Sequence, residues 1–213
     1  NFFNKKINSP LILAPMGHQT QFSKNGEIET AGGLDKSKTV AFFSTQGRIS
    51  LNDIRKKNKN LLLAWEIFPF GNKNWILNEI KIAEKNRCIA ICLCLDAPVR
   101  SHRYLDRETN YDARKFGRRT NPISPDPTKA LYYDWELVKF VKRNTKLPVI
   151  VKGILSISDA IKAIKKGADS IWISNHGGRM LNSGISGVDA LISIKKKLMK
   201  KNIKIIVDGG VRS

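Results

Sequence analysis

An α/β fold of the TIM (β/α)8 barrel type, incomplete in this chain with about seven strands, is predicted by three observations. Short apolar runs alternate with amphipathic stretches from end to end of the 213 residues. The apolar runs are nearly continuous rather than alternating, as expected of strands buried on both faces of a parallel sheet. Seven such units in sequence favour a closing barrel over an open sheet, and the whole of 1–213 reads as one partial barrel domain.

The elements follow in order. Residues 11–14 form a strand candidate ending at Pro15, followed by a helix-like stretch over 27–34. A second strand spans 39–43 and leads to a helix that Ser50 would cap ahead of Leu51. A third strand, 61–68, precedes a helix over 75–84, and a fourth, 88–95, precedes a polar, Pro- and Arg-rich stretch over 97–131. A stretch of that length is too long for a simple connection. A helix over 134–144, a strand over 148–151, a helix over 157–166 and a sixth strand over 170–173 come next. A helix over 188–201 and a seventh strand over 203–207 complete the set, and the chain is expected to be a fragment of a longer protein.

Composition narrows the function classes. With 41% hydrophobic residues the chain can bury a core. No run of about 18 apolar residues suggests a membrane-crossing helix, and the first residues lack a signal peptide's apolar middle, so a cytoplasmic location is the expectation. Cys88, Cys92 and Cys94 fall within one apolar strand and read as reduced core thiols, with no second ligand pair at metal-site spacing. The formal charge of +20 suggests a polyanion at first sight. Its lysines, however, alternate with apolar residues at helical spacing and have no interleaved aromatics, which argues against specific nucleic-acid binding.

The chemistry concentrates at strand ends. His176 and Arg179 follow the sixth strand in Ser-Asn-His-Gly-Gly-Arg, where two glycines let the backbone turn sharply. Gly17 and His18 follow the first strand, Ser44 to Gln46 the second, Asp96 and Arg103 the fourth, and Asp208 and Arg212 the seventh, while Glu66 and Lys152 lie on the third and fifth. A barrel brings all of these to one rim, where a base, a carboxylate and several cations together indicate catalysis.

These residues resemble the FMN-dependent 2-hydroxy-acid oxidases and dehydrogenases, a family that includes glycolate oxidase and lactate oxidase. The likeness runs the length of the chain through Leu-Pro-Val-Ile-Val-Lys-Gly-Ile at 147–154, Ser-Asn-His-Gly-Gly-Arg at 174–179 and Val-Asp-Gly-Gly-Val-Arg at 207–212. Ala14-Pro15-Met16 and Leu95-Asp96-Ala97-Pro98 add two weaker matches. The resemblance implies oxidation of a small L-2-hydroxy acid, such as lactate or glycolate, to the 2-oxo acid, with FMN taking a hydride equivalent. It implies His176 as base, Asp96 as its partner, Arg103 and Arg179 as clamps on the substrate carboxylate, and Lys152 beside the flavin. By the same resemblance Pro15, Met16, Gly17, Ser44, Glu66, Cys94 and Ser174 line the flavin, Asp208, Gly210 and Arg212 begin its ribityl and phosphate site, and Phe68 borders the substrate. Oxygen, a quinone or a cytochrome would accept the electrons, no metal is implied, and a homotetramer is an expectation because relatives are often tetramers. The family pattern has Gln, Tyr, Thr and Ala where this chain has Glu66, Phe68, Cys94 and Gly17, and Met180 and Asn182 differ as well. The missing eighth unit implies that these 213 residues alone bind FMN weakly or not at all, whereas the full-length parent is expected to be active. A related FMN barrel such as isopentenyl diphosphate isomerase, or a degenerate non-catalytic barrel, is the alternative.

Overall fold

The computed structural model describes residues 1–69, 71–97, 104–111, 134–179, 184–198 and 202–210. It contains six parallel strands in sequential order: β1 (Val40–Ser44), β2 (Leu62–Ile67), β3 (Ile91–Cys94), β4 (Val149–Ile154), β5 (Ser170–Ile173) and β6 (Lys204–Val207). Helix α1 (Gly26–Ser37) precedes the sheet, α2 (Leu51–Lys57) follows β1 and α3 (Lys73–Lys85) follows β2. Two helices, α4 (Tyr104–Glu108) and α5 (Trp135–Arg143), stand between β3 and β4, with α6 (Ile157–Lys165) and α7 (Gly187–Leu198) following β4 and β5. Each strand pairs with the next in the chain and none is skipped, so the sheet curls as a part-barrel of the predicted class.

Among the described residues six of the about seven expected strands are formed. Residues 11–14 contribute only one bridge, Leu13 beside Ala41, with the Leu13 N–H donating to Val40 O at 3.0 Å and Phe42 N–H donating to Leu13 O at 3.2 Å. Pro10 and Pro15 bracket the segment, and proline supplies no N–H to extend a ladder. The polar stretch after β3 includes the short helix α4, while 98–103 and 112–133 lie outside the described residues.

Helix starts follow local chemistry. Ser50, Asn72, Asp134 and Ser156 each accept a backbone N–H three residues on, satisfying a donor that the first turn leaves free. Basic residues gather in the last turns instead: Arg55, Lys56 and Lys57 in α2, Lys142 and Arg143 in α5, and Lys195, Lys196 and Lys197 in α7. Cations there complement the negative end of the helix dipole, which gives much of the +20 charge a structural reason.

Alternation along the strands divides the core in two. Ala41, Phe43, Leu63, Trp65, Ile91, Leu93, Val149, Val151, Ile171 and Ile173 pack toward the helices. Val40, Phe42, Ala64, Cys92, Ile150, Trp172 and Ile206 face the opposite way and fill the inside of the curl, with Phe2 packed on Phe42 and Phe42 on Trp172 at 4.9 Å between ring centres. The three cysteines are free and buried, as expected of core thiols. Among the described residues no helix is long and apolar enough to cross a membrane.

One polar group lies within the helix-facing core. Glu79 of α3 is fully buried and accepts a hydrogen bond from Trp65 Nε1 at 2.9 Å. Burial pushes its carboxyl up from 4.5 to about 7, against the opposing pull of the Trp65 hydrogen bond. The folded protein therefore holds this proton more tightly than the unfolded chain, so the stabilisation is full below about pH 4.5 and is lost as pH rises to about 7. Glu79→Gln is expected to be more stable than the parent by about 3 kcal/mol at pH 8, with the gap closing near pH 4, in denaturant titrations at both pH values.

Candidate active site

The same alternation that fills the curl places its polar rim. Counting two residues onward from each inward-facing core residue, Phe42 leads to Ser44, Ala64 to Glu66, Cys92 to Cys94, Ile150 to Lys152, Trp172 to Ser174 and Ile206 to Asp208. All six therefore point inward at the C-terminal ends of the strands, and Ser44, Glu66, Cys94, Lys152 and Ser174 are buried there. Register agrees, with Ser44 opposite Glu66 and Cys94 opposite Lys152.

Lys152 is 4% exposed and donates to Ser174 Oγ at 3.0 Å. Its ammonium also lies 3.4 Å from Asp208 Oδ2 and 5.6 Å from the centre of the Trp172 ring. Burial works against the charge, but Cys94, Glu66, Asp208 and Asp96 around it outweigh burial and raise its pKa. The result is a fixed cation embedded in the rim.

Beside it, His176 Nδ1 lies 2.8 Å from Asp96 Oδ1. Asp96 Oδ1 also accepts from the Cys94 thiol at 3.1 Å, and its Oδ2 accepts from Gly177 N–H at 3.0 Å. Burial alone would raise the Asp96 carboxyl; the hydrogen bond from His176, with Lys152 and Cys94 nearby, holds it below the usual carboxylate range instead. An ionised Asp96 can only accept, so Nδ1 carries the proton and Nε2 is left as the basic nitrogen of His176. Phe68 stands edge-on to the His176 ring with centroids 6.1 Å apart.

Two glycines make this approach of chain segments feasible. Gly153, at φ +98, would place a Cβ 2.3 Å from Asp96 Cβ, and a Cβ on Gly177 would fall 2.5 Å from Asp96 O. Gly17 packs against Gln46, where a Cβ would meet Gln46 Cβ at 2.7 Å, so its lack of a side chain is a packing requirement. The Cys94, Asp96 and His176 ligand atoms lie within 4.8 Å of one another, a spacing that their mutual hydrogen bonds account for.

His176, Asp96, Lys152, Ser174, Cys94, Glu66, Ser44 and Asp208 thus converge on one rim. Pro15 and Met16 lie on the segment that bridges to β1, with Met16 exposed, and Gly210 follows Gly209 in a turn where both have positive φ and open space about them. Arg179 ends a 3-10 turn, His176–Arg179; Arg103 and Arg212 lie outside the described residues, as do Met180 and Asn182. Thr45, within the polar run expected after the second strand, accepts from Phe68 N–H at 3.0 Å. Sequence reasoning did not single out the Gly177 N–H as a donor to Asp96, which the glycine after His176 signals.

The model of the FMN-dependent dehydrogenase family matches residues 1–213. The chain belongs to this family. Relatives include the 4-hydroxymandelate oxidase of Amycolatopsis orientalis, 29% identical over all of this chain and 63% of that protein. The L-lactate oxidase of Lysinibacillus sphaericus is 28% identical over 99% of this chain and 60% of its own length. A solved structure of mandelate oxidase with (S)-2-phenylpropionate superposes with a TM-score of 0.89 at 28% identity, over 100% of this chain and 61% of that one. The chain thus spans about 60% of the length of these members of the FMN-dependent dehydrogenase family.

The rim suits such a cofactor on its own chemistry. A buried cation, two buried serine hydroxyls and a buried carboxyl lie together on the rim beside Trp172, whose Nε1 is buried with no hydrogen-bond partner among the described residues. That set can meet the heteroatom edge of a planar ring system, and the backbone at Gly209 and Gly210 is open to close approach.

Proposed function

We propose that the protein binds FMN and oxidises a small L-2-hydroxy acid, such as lactate or glycolate, to the 2-oxo acid. The observation that carries this reading is the Asp96–His176 pair at 2.8 Å on the same rim as the buried cation Lys152. Bound there, FMN would supply the two-electron acceptor for the hydrogen on the substrate α-carbon.

The chain's residues supply the rest. His176 Nε2 takes the proton, and the charge then on its ring is stabilised by Asp96, already ionised and held by Gly177 N–H. Lys152 and Ser174, hydrogen-bonded together, would present a fixed positive charge where negative charge develops, while Ser44, Glu66, Cys94, Pro15, Met16 and Gly17 would help to hold the cofactor. Asp208, Gly210 and Arg212 would hold the ribityl chain and phosphate, and Arg103 and Arg179 the substrate carboxylate, for which a planar guanidinium is suited. Phe68 offers an apolar wall to the substrate side chain. The relatives named above are oxidases, which supports oxygen as electron acceptor over a quinone or a cytochrome.

Anaerobic addition of L-lactate or glycolate to the FMN-loaded protein is expected to bleach the visible band of oxidised flavin. A flavin that binds but keeps its colour with both acids, and with (S)-mandelate, would overturn the reading.

A further inference from the structure

The charges of the rim do not balance if every acid is ionised. Lys152 lies 3.4 Å from Asp208 and also faces Glu66, while Asp96 is hydrogen-bonded to the His176 ring at 2.8 Å, so among the described residues of the rim one ammonium stands against three carboxyl groups. Glu66, 4% exposed at the end of β2, also has a hydrogen bond from the Ser44 hydroxyl. Ser44 lies opposite it on β1, the buried thiols of Cys92 and Cys94 face it from β3, Lys152 from β4, His176 and Asp96 from the loops, and Asp208 from beyond β6. An ionised Glu66 would add an uncompensated negative charge inside a curl floored by Phe42 and Trp172. It would also stand where an anionic substrate has to bind.

We propose that Glu66 is carried as a neutral carboxylic acid and gives the site a proton donor toward an acceptor atom of the bound cofactor. Ser44 Oγ accepts from Gln46 N–H at 3.2 Å, which leaves the hydroxyl proton for one Glu66 oxygen and the acid's own proton for a ligand. Burial raises this carboxyl, and the opposing effects of Lys152 and Ser44 do not cancel it. A protonated carboxyl has the planar shape of a glutamine amide and, like it, is a neutral group that both donates and accepts, with one donor hydrogen in place of two. The inference rests on the reading of the rim as an FMN site, but the protonation state can be measured without the cofactor.

Infrared spectra of the FMN-free protein, compared with Glu66→Gln, test it in a Glu79→Gln background that removes a second carboxyl raised by burial. At pH 7 a protonated-carboxyl C=O band is expected that Glu66→Gln abolishes. With FMN, Glu66→Gln is expected to keep Kd within about threefold, and Glu66→Ala to raise it about tenfold, as for one lost hydrogen bond. Absence of the band at pH 7, or Glu66→Gln binding FMN about tenfold or more tightly because a charge has been removed, would overturn the proposal. A protein that shows the band but binds no FMN would overturn the cofactor reading and the donor role, leaving only a buried acid.

Discussion

Replacing His176 with alanine is expected to slow reduction of bound flavin by substrate about 10³-fold, the loss typical of a general base. FMN affinity is expected to stay within about twofold, because the Lys152–Ser174 contact, which faces the cofactor in the proposed site, does not involve the imidazole. The size of the effect follows from geometry. Asp96 is held by three donors, from His176, Cys94 and Gly177, so it is ionised and oriented before any substrate arrives. Removing the ring takes away the proton acceptor and leaves a buried carboxylate without its principal partner. Stopped-flow reduction at several substrate concentrations separates the two quantities, and unchanged reduction in His176→Ala would exclude the imidazole as base.

Lys152→Met is expected to have the second large effect, and on two observables at once. The side chain is 4% exposed and carries the charge that balances Asp208 at 3.4 Å, with Glu66 and Asp96 close by. Removing one partner of a buried ion pair typically costs about 3–5 kcal/mol, which here would appear as a lower urea midpoint in the FMN-free protein. Flavin reduction should fall about 10²-fold in addition, since a preorganised charge at the site of developing negative charge is lost. A variant as stable as the parent would mean that Asp208 finds another partner or turns to solvent.

The strand ends were legible because periodicity two is written into the sequence. In each strand a polar residue stands two places beyond an inward-facing apolar one, as Lys152 does beyond Ile150 and Ser174 beyond Trp172. The first strand was less legible: Leu11 to Ala14 has the apolar content of a strand, but its flanking prolines limit it to one bridge beside Ala41. The resemblance places Gly17 at the cofactor edge; its contact with Gln46 adds a packing constraint that depends on a turn some thirty residues away and leaves no local mark.

The sequence by itself determined the alternation of strands and helices, the helix caps at Ser50, Asn72, Asp134 and Ser156, and the collection of polar groups at one end of the sheet. These follow from local rules: side-chain alternation, orphan N–H groups at helix starts, and burial of apolar runs. Only the tertiary structure decided which of those groups meet. Asp96 and His176 are 80 residues apart, and their 2.8 Å contact requires β3 and β5 to be spaced by β4 and Gly153 to have no side chain. The sharing of one ammonium, Lys152, between Asp208 and Glu66 is likewise set by strand stagger and sheet curl. Local periodicity says which face a residue occupies; the distance between two residues on that face depends on how the strands between them close.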